Sequence, residues 1–192
     1  MKIAFALLLL ASFLFAQNLF AQNQVGAPTP TTASATAAGC GQGDVRFDVK
    51  SDSQQHPMVQ PEDGKAVLYF VQDDKQFLSR PRPTTRFGID GEWVGATNAN
   101  SYFYVSLAPG VHHLCANWQS FVAFGVSENT AAAHFTADAG GVYFFSAQDF
   151  WNRAGGSANI KFVPIDSDEG QLLASKFSFS TSKPKKTRPP SE

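Results

Sequence analysis

Two cysteines, Cys40 and Cys115, are the entire thiol supply of this 192-residue chain. In an oxidising compartment a pair of cysteines most simply forms one disulfide. Closing so long a loop stabilises by roughly 4 kcal/mol through the lost freedom of the unfolded chain. The alternative is two unpaired thiols, one of them beside Trp118. Four histidines invite a metal reading. His112 and His113 are adjacent on a predicted strand, so their side chains leave opposite faces and cannot grip one ion together. A zinc site would need His56 or His134 brought in by the fold, with a carboxylate. Asp166-Ser167-Asp168-Glu169-Gly170 is like the start of a calcium loop, but the later ligands and the terminal Glu are missing, and helix capping accounts for it better. The expectation is therefore no metal site and no cofactor.

Other chemistry is thinly represented. Gly125-Val126-Ser127-Glu128-Asn129 lacks the last glycine of a nucleophile elbow. The glycines of Gly39-Cys40-Gly41-Gln42-Gly43 have neither the preceding strand nor the following helix that a phosphate loop requires. Asp73 and Asp74 fall in a loop, where solvation is the ordinary account. Arg80, Arg82 and Arg86 mark the most basic internal stretch and read as a solvated connection. No active-site constellation emerges, so the reading is a protein that is not an enzyme. An unrecognised hydrolase or metal-dependent enzyme using His112 or His134 is the alternative.

The aromatic residues are the better lead. Tyr102 and Tyr104 share a strand face, and Trp93, Trp118 and Trp151 lie near strand ends or turns. Together at the surface they would form a platform for a glycan or an envelope protein, since large rings supply contact area at low entropy cost. Otherwise they fill the core.

The elements that must position these groups are strands. Ser101 to Trp118 reads as two strands joined at Pro109-Gly110, a turn in which Pro presets φ and Gly takes a positive value. Phe103, Val105 and Leu107 fall on one face of the first strand, and His112, Leu114, Ala116 and Trp118 on one face of the second. Asp90-Gly91 between apolar flanks predicts a hairpin. Lys65 to Gln72 is apolar at nearly every position, as a central strand with both faces covered would be. Further strands are predicted over Asp44 to Lys50 and Ala158 to Ile165, with a pair Ala132 to Ala137 and Gly141 to Gln148 turned at Asp138-Ala139-Gly140. Phe121 to Phe124 forms a short strand or a packed loop. Asp166 caps a short helix ending near Lys176, and Phe177 and Phe179 add an edge strand. The fold class is all-β: an antiparallel β-sandwich, Ig-like or transthyretin-like, or a partly open barrel, with one short C-terminal helix.

Charged residues make up 16% of the chain, well under the usual quarter, and 18 phenylalanines supply core material. A formal net charge of −1 gives no field that would steer nucleic acid, which is excluded as a partner. Residues 1–21 have the layout of a signal peptide, with Lys2, an apolar run and Leu19-Phe20-Ala21 at the cut, so no membrane span is expected in the mature protein. Residues 22–39 are an Ala/Thr/Pro-rich flexible tether, 40–180 the domain, and 181–192 a disordered basic tail carrying Lys183, Lys185, Lys186 and Arg188. The protein is expected to be exported, to the periplasm or the cell surface.

The segments GKAVLYFVQ, FGIDGEWVGATNANSYFYVSLAPGVHHLCANW, HFTADAGGVYFFSAQ and VPIDSDEGQLLA resemble the bacterial domain of unknown function 2846, in a form found in exported proteins of acidobacteria. The likeness spans about Cys40 to Lys176. IDGEWVG with LAPGVHHL is also similar to PEGA and other surface β modules. The resemblance implies a small extracytoplasmic β domain and supplies no catalytic residues. Many members of that family are lipoproteins; here Cys40 stands far from the apolar run, unlike a lipobox cysteine.

Overall fold

The structure is a computed structural model that describes residues 39–78, 80–120, 129–152 and 157–185. The expected signal peptide, all of the tether except Gly39, the run Phe121 to Phe124 and the tail beyond residue 185 lie outside the described residues. The strands are β1 (Phe47–Asp52), β2 (Ala66–Asp73), β3 (Thr84–Ile89), β4 (Glu92–Asn98), β5 (Ser101–Leu107), β6 (Gly110–Trp118), β7 (Thr130–Ala137), β8 (Val142–Asn152), β9 (Ser157–Ile165) and β10 (Ser178–Pro184). Helix α1 spans Ser167–Lys176. The strands form a six-stranded sheet, β1-β10-β5-β2-β8-β9, and a four-stranded sheet, β4-β3-β6-β7. The chain is thus mostly β, as the alternating pattern requires.

The reading of β2 holds. Its even-numbered residues Leu68 and Phe70 enter the core shared with the four-stranded sheet, where Phe87, Leu114 and Ala116 meet them. Its odd-numbered residues Val67, Tyr69 and Val71 pack beneath α1 against Leu173, Ala174 and Phe177. A strand covered on both sides has no solvent-facing side, so its run is apolar up to Gln72. Each such side chain taken wholly out of water stabilises by roughly 1.5–3 kcal/mol. The helix also forms as read: Asp166 is its N-cap, and its side chain accepts from the Glu169 backbone N–H at 2.9 Å. Gly170 lets it approach β8, since a Cβ there would collide with the Phe144 ring.

Five sequence expectations need correction. Pro109-Gly110 does not close a hairpin, because β5 pairs with β2 and β10 whereas β6 pairs with β3 and β7. The turn is an arch from one sheet to the other. Asp138-Ala139-Gly140 makes a second arch, from β7 to β8. Apolar alternation marks which face of a strand is buried, and two strands facing each other across a core satisfy it as well as two paired side by side. Asp90-Gly91, by contrast, does close a hairpin, with φ of 49° and 88° at the two turn residues.

The six-stranded sheet is mixed, not antiparallel throughout: β2 runs parallel to β8 and β10 parallel to β5. Phe177 ends the helix, and Phe179 belongs to β10, an interior strand between β1 and β5. β10 also runs through Pro184 with Lys183 on it, so the segment read as disordered from residue 181 is ordered at least to Lys185, whose N–H donates to the Arg46 carbonyl at 2.7 Å. A strand with Phe47 and Val49 available as cross-strand neighbours gives these polar residues a ladder to join.

Candidate functional site

Residues 39–46 cross the outer face of the four-stranded sheet as a strap. Cys40 is bonded to Cys115 of β6, with Cα atoms 4.9 Å apart. The strap passes over Gly88 of β3, where a Cβ would come within 2.5 Å of the Gly39 carbonyl oxygen. Gly41 lies against Trp93 and Gly39 against the Leu114 backbone. Glycine is needed at these positions because backbone touches backbone and ring. Arg86 locks the arrangement. Its guanidinium sits 4.2 Å from the Trp93 ring centroid, its Nε donates to Asn117 Oδ1 at 2.8 Å, and its Nη1 donates to the Val45 carbonyl at 2.6 Å. Arg86 is only 9% exposed, so it is no part of a solvated basic loop. The Gln119 amide completes the clamp: its Nε2 donates to the Phe47 carbonyl at 2.8 Å and its Oε1 accepts from the Phe47 N–H at 2.9 Å.

The five aromatic positions do not share a surface. Tyr102 is fully buried beneath α1 and donates to the Pro57 carbonyl at 3.2 Å. Tyr104 is half-buried in the same cluster, stacked 5.8 Å from Phe179. Trp118 is 1% exposed and meets Phe77 edge-on, as does the half-buried Trp151. Trp93 lies under the strap on the opposite outer face. Burial removes Tyr102 and Trp118 from any contact platform, and the sheets separate Trp93 from Tyr104. The alternation that puts Tyr102 and Tyr104 on one face is correct, but a helix covers that face.

A polar cluster that sequence reasoning missed ties the two sheets together. Gln72, Asp74 and Asp149 are fully buried. Gln72 Nε2 has three oxygens at 2.9 Å, from Asp74, Asp149 and the Pro83 carbonyl, and two hydrogens to serve them. Its Oε1 accepts from Thr97 Oγ1 at 2.7 Å, and Asp149 Oδ1 accepts from Trp118 Nε1 at 2.9 Å. Thr97 and Trp118 belong to the four-stranded sheet, Gln72 and Asp149 to the six-stranded one. Burial pushes the Asp149 carboxyl well above the usual carboxylate range, and the neighbouring Asp74 adds to the shift. Burial raises Asp74 as well, although its hydrogen bonds from Asp149 and Gln72 oppose the change. Two buried carboxyls side by side disfavour ionising together, which is why both are raised. Asp74 is therefore not a solvated loop residue, and its Oδ2 has no hydrogen-bond partner among the described residues. The signal in the sequence is slight: a Gln and an Asp that end apolar strand runs.

The histidines separate into two groups. His112 Nδ1 meets Asp90 Oδ2 at 2.6 Å and Nε2 meets the Ala108 carbonyl at 2.8 Å, so both ring nitrogens are engaged. Burial pulls its pKa down, but these two acceptors outweigh that, and the net shift is upward. The Asp90–His112 pair therefore pins the arch between β5 and β6 to the β3–β4 turn. His113 and His134 are paired across β6 and β7. His56 Nδ1 bonds the Ala174 carbonyl at 3.0 Å. A cleft of about 200 Å³ lies beside His134, between β7, the start of β8 and the start of α1. Phe135, Val142, Tyr143, Phe144, Phe145 and Ile165 form most of its walls, and His134, Thr136 and Ser167 are its polar groups.

No family model matches the chain, and no curated protein matches it at a significant level. No group of three or more His, Cys, Asp or Glu residues converges on one point among the described residues. Nor is any described helix long and apolar enough to cross a membrane.

Proposed function

We propose that this chain is an exported β-sandwich domain, Ig-like or transthyretin-like, that serves as a non-catalytic binding or structural module of the bacterial cell envelope. The observation that carries the reading is the strap bonded by Cys40–Cys115 across the outer face of the four-stranded sheet. Such bonds persist in oxidising compartments. A domain sealed on one side by a disulfide-held strap and on the other by α1 suits an oxidising compartment. The engagement of His112, Arg86 and the Asp74–Asp149 pair in contacts that tie elements together fits a scaffolding role for the polar residues. The resemblance to the domain of unknown function 2846 family belongs to the same proposal.

The test is expression of the full chain in a bacterial host, with fractionation and intact-mass measurement. The expected product lies outside the cytoplasm, begins at Gln22 and lacks the two thiol hydrogens. A reduced chain retaining Met1 in the cytoplasm overturns the export reading. The purified oxidised protein should then retain a specific protein or glycan from envelope extract. No enrichment over a denatured control removes the binding role.

A further inference from the structure

We propose that His113 and His134 form a surface site for a late first-row divalent cation, Cu²⁺ foremost, with water completing the coordination shell. The register sets His113 directly opposite His134 in the antiparallel β6–β7 pair. The His113 backbone points the other way: its carbonyl accepts from the Asp90 N–H at 2.9 Å, and its N–H donates to Asp90 Oδ1 at 2.8 Å. Toward β7 the position is therefore a non-hydrogen-bonded one, where opposed residues approach most closely, with Cα atoms about 4.5 Å apart. Both side chains lie on the outer face of the sheet, the face that carries Cys115 and its strap. His134 is exposed and His113 half-buried.

Neither ring has a hydrogen bond among the described residues, whereas His112 uses both nitrogens and His56 one. The rings stand 6.3 Å apart, centroid to centroid, at 41°. Imidazole nitrogens bind such metals at about 2.0–2.1 Å, so two rings sharing an ion in neighbouring positions have centroids about 5 Å apart. A shift of about 1 Å, within reach of side-chain rotation at the surface, closes that difference. Two imidazoles without a thiolate or a nearby third ligand suit Cu²⁺ best, then Ni²⁺ and Zn²⁺, and give Ca²⁺ or Mg²⁺ nothing they prefer.

The experiment is Cu²⁺ titration of the full oxidised chain by calorimetry, with electron paramagnetic resonance of the bound ion. Wild type should bind one Cu²⁺ with nitrogen hyperfine coupling from two imidazoles. His113→Gln and His134→Gln should each weaken binding at least about tenfold, since even partners outside the coordination shell are worth 10–100-fold. His56→Gln should change nothing, and circular dichroism confirms that each variant is folded. Equal affinity and an unchanged spectrum in the folded double variant His113→Gln/His134→Gln overturn the site. So does a wild-type preference for Ca²⁺ over Cu²⁺.

Discussion

Removing the Cys40–Cys115 bond tests how far the strap holds the domain together. The two cysteines are 75 residues apart, and the chain-entropy relation for a loop of that length gives about 4.5 kcal/mol at 25 °C. That is a large part of the roughly 5–15 kcal/mol by which a domain is stable. It corresponds to a fall in melting temperature of roughly 10–15 °C for a domain of this size. The native side should change little, because Arg86, Trp93 and Gln119 continue to hold the strap through contacts that do not involve sulfur. The measurement is urea unfolding of wild type, oxidised and reduced, beside Cys40→Ala/Cys115→Ala. Reduced wild type and the double variant should coincide, both several kcal/mol below the oxidised protein, with a larger m value because the uncrosslinked chain unfolds further. A difference below about 1 kcal/mol would refute the reasoning, since it would mean that the denatured chain is already as restricted without the bond as with it.

Three further outcomes are expected. Stability should fall as pH rises from about 4 through neutrality. The Asp74–Asp149 carboxyls have raised folded pKa values, so their contribution is fully present below the unfolded value of about 3.9 and is lost as pH climbs through the folded ones. His112, also raised, loses its contribution above about 6.5, in the same direction. Asp149→Asn places a permanent N–H donor beside Asp74, and thermal melts across pH should show the acidic part of that slope flattened; an unaltered slope refutes the upward shift of the pair. Gly170→Ala should destabilise by about 1–3 kcal/mol despite alanine's better helix propensity, because the new methyl meets the Phe144 ring; a stabilised variant in the same urea assay shows that the helix can lift away freely. Trp118→Phe should lower stability by about 1–3 kcal/mol by leaving Asp149 Oδ1 without its donor, and a neutral result in denaturant unfolding would make that hydrogen bond dispensable.

Much of the fold is legible in the chain. Lys65 to Gln72 announces a strand buried on both faces, Asp90-Gly91 a hairpin, and Asp166 with Glu169 a helix start, because each signal is local: the residue that causes the conformation occupies it. The pairing of Cys40 with Cys115 is also readable, since two cysteines leave only one intramolecular bond to make. The site is another matter. Tyr102 and Tyr104 show their shared face in the sequence, but α1, some 65 residues later, decides that this face is covered.

What the sequence by itself determined is which side chains share a strand face, where turns fall and that the body is built of strands. The tertiary structure decided which strands pair and which merely face, and with that the arches at Pro109-Gly110 and Asp138-Ala139-Gly140. It alone placed Asp74 against Asp149 and His113 opposite His134. The physical reason is that side-chain periodicity is set along one strand, whereas pairing and register are chosen by the free energy of the whole core and its hydrogen-bond ladders.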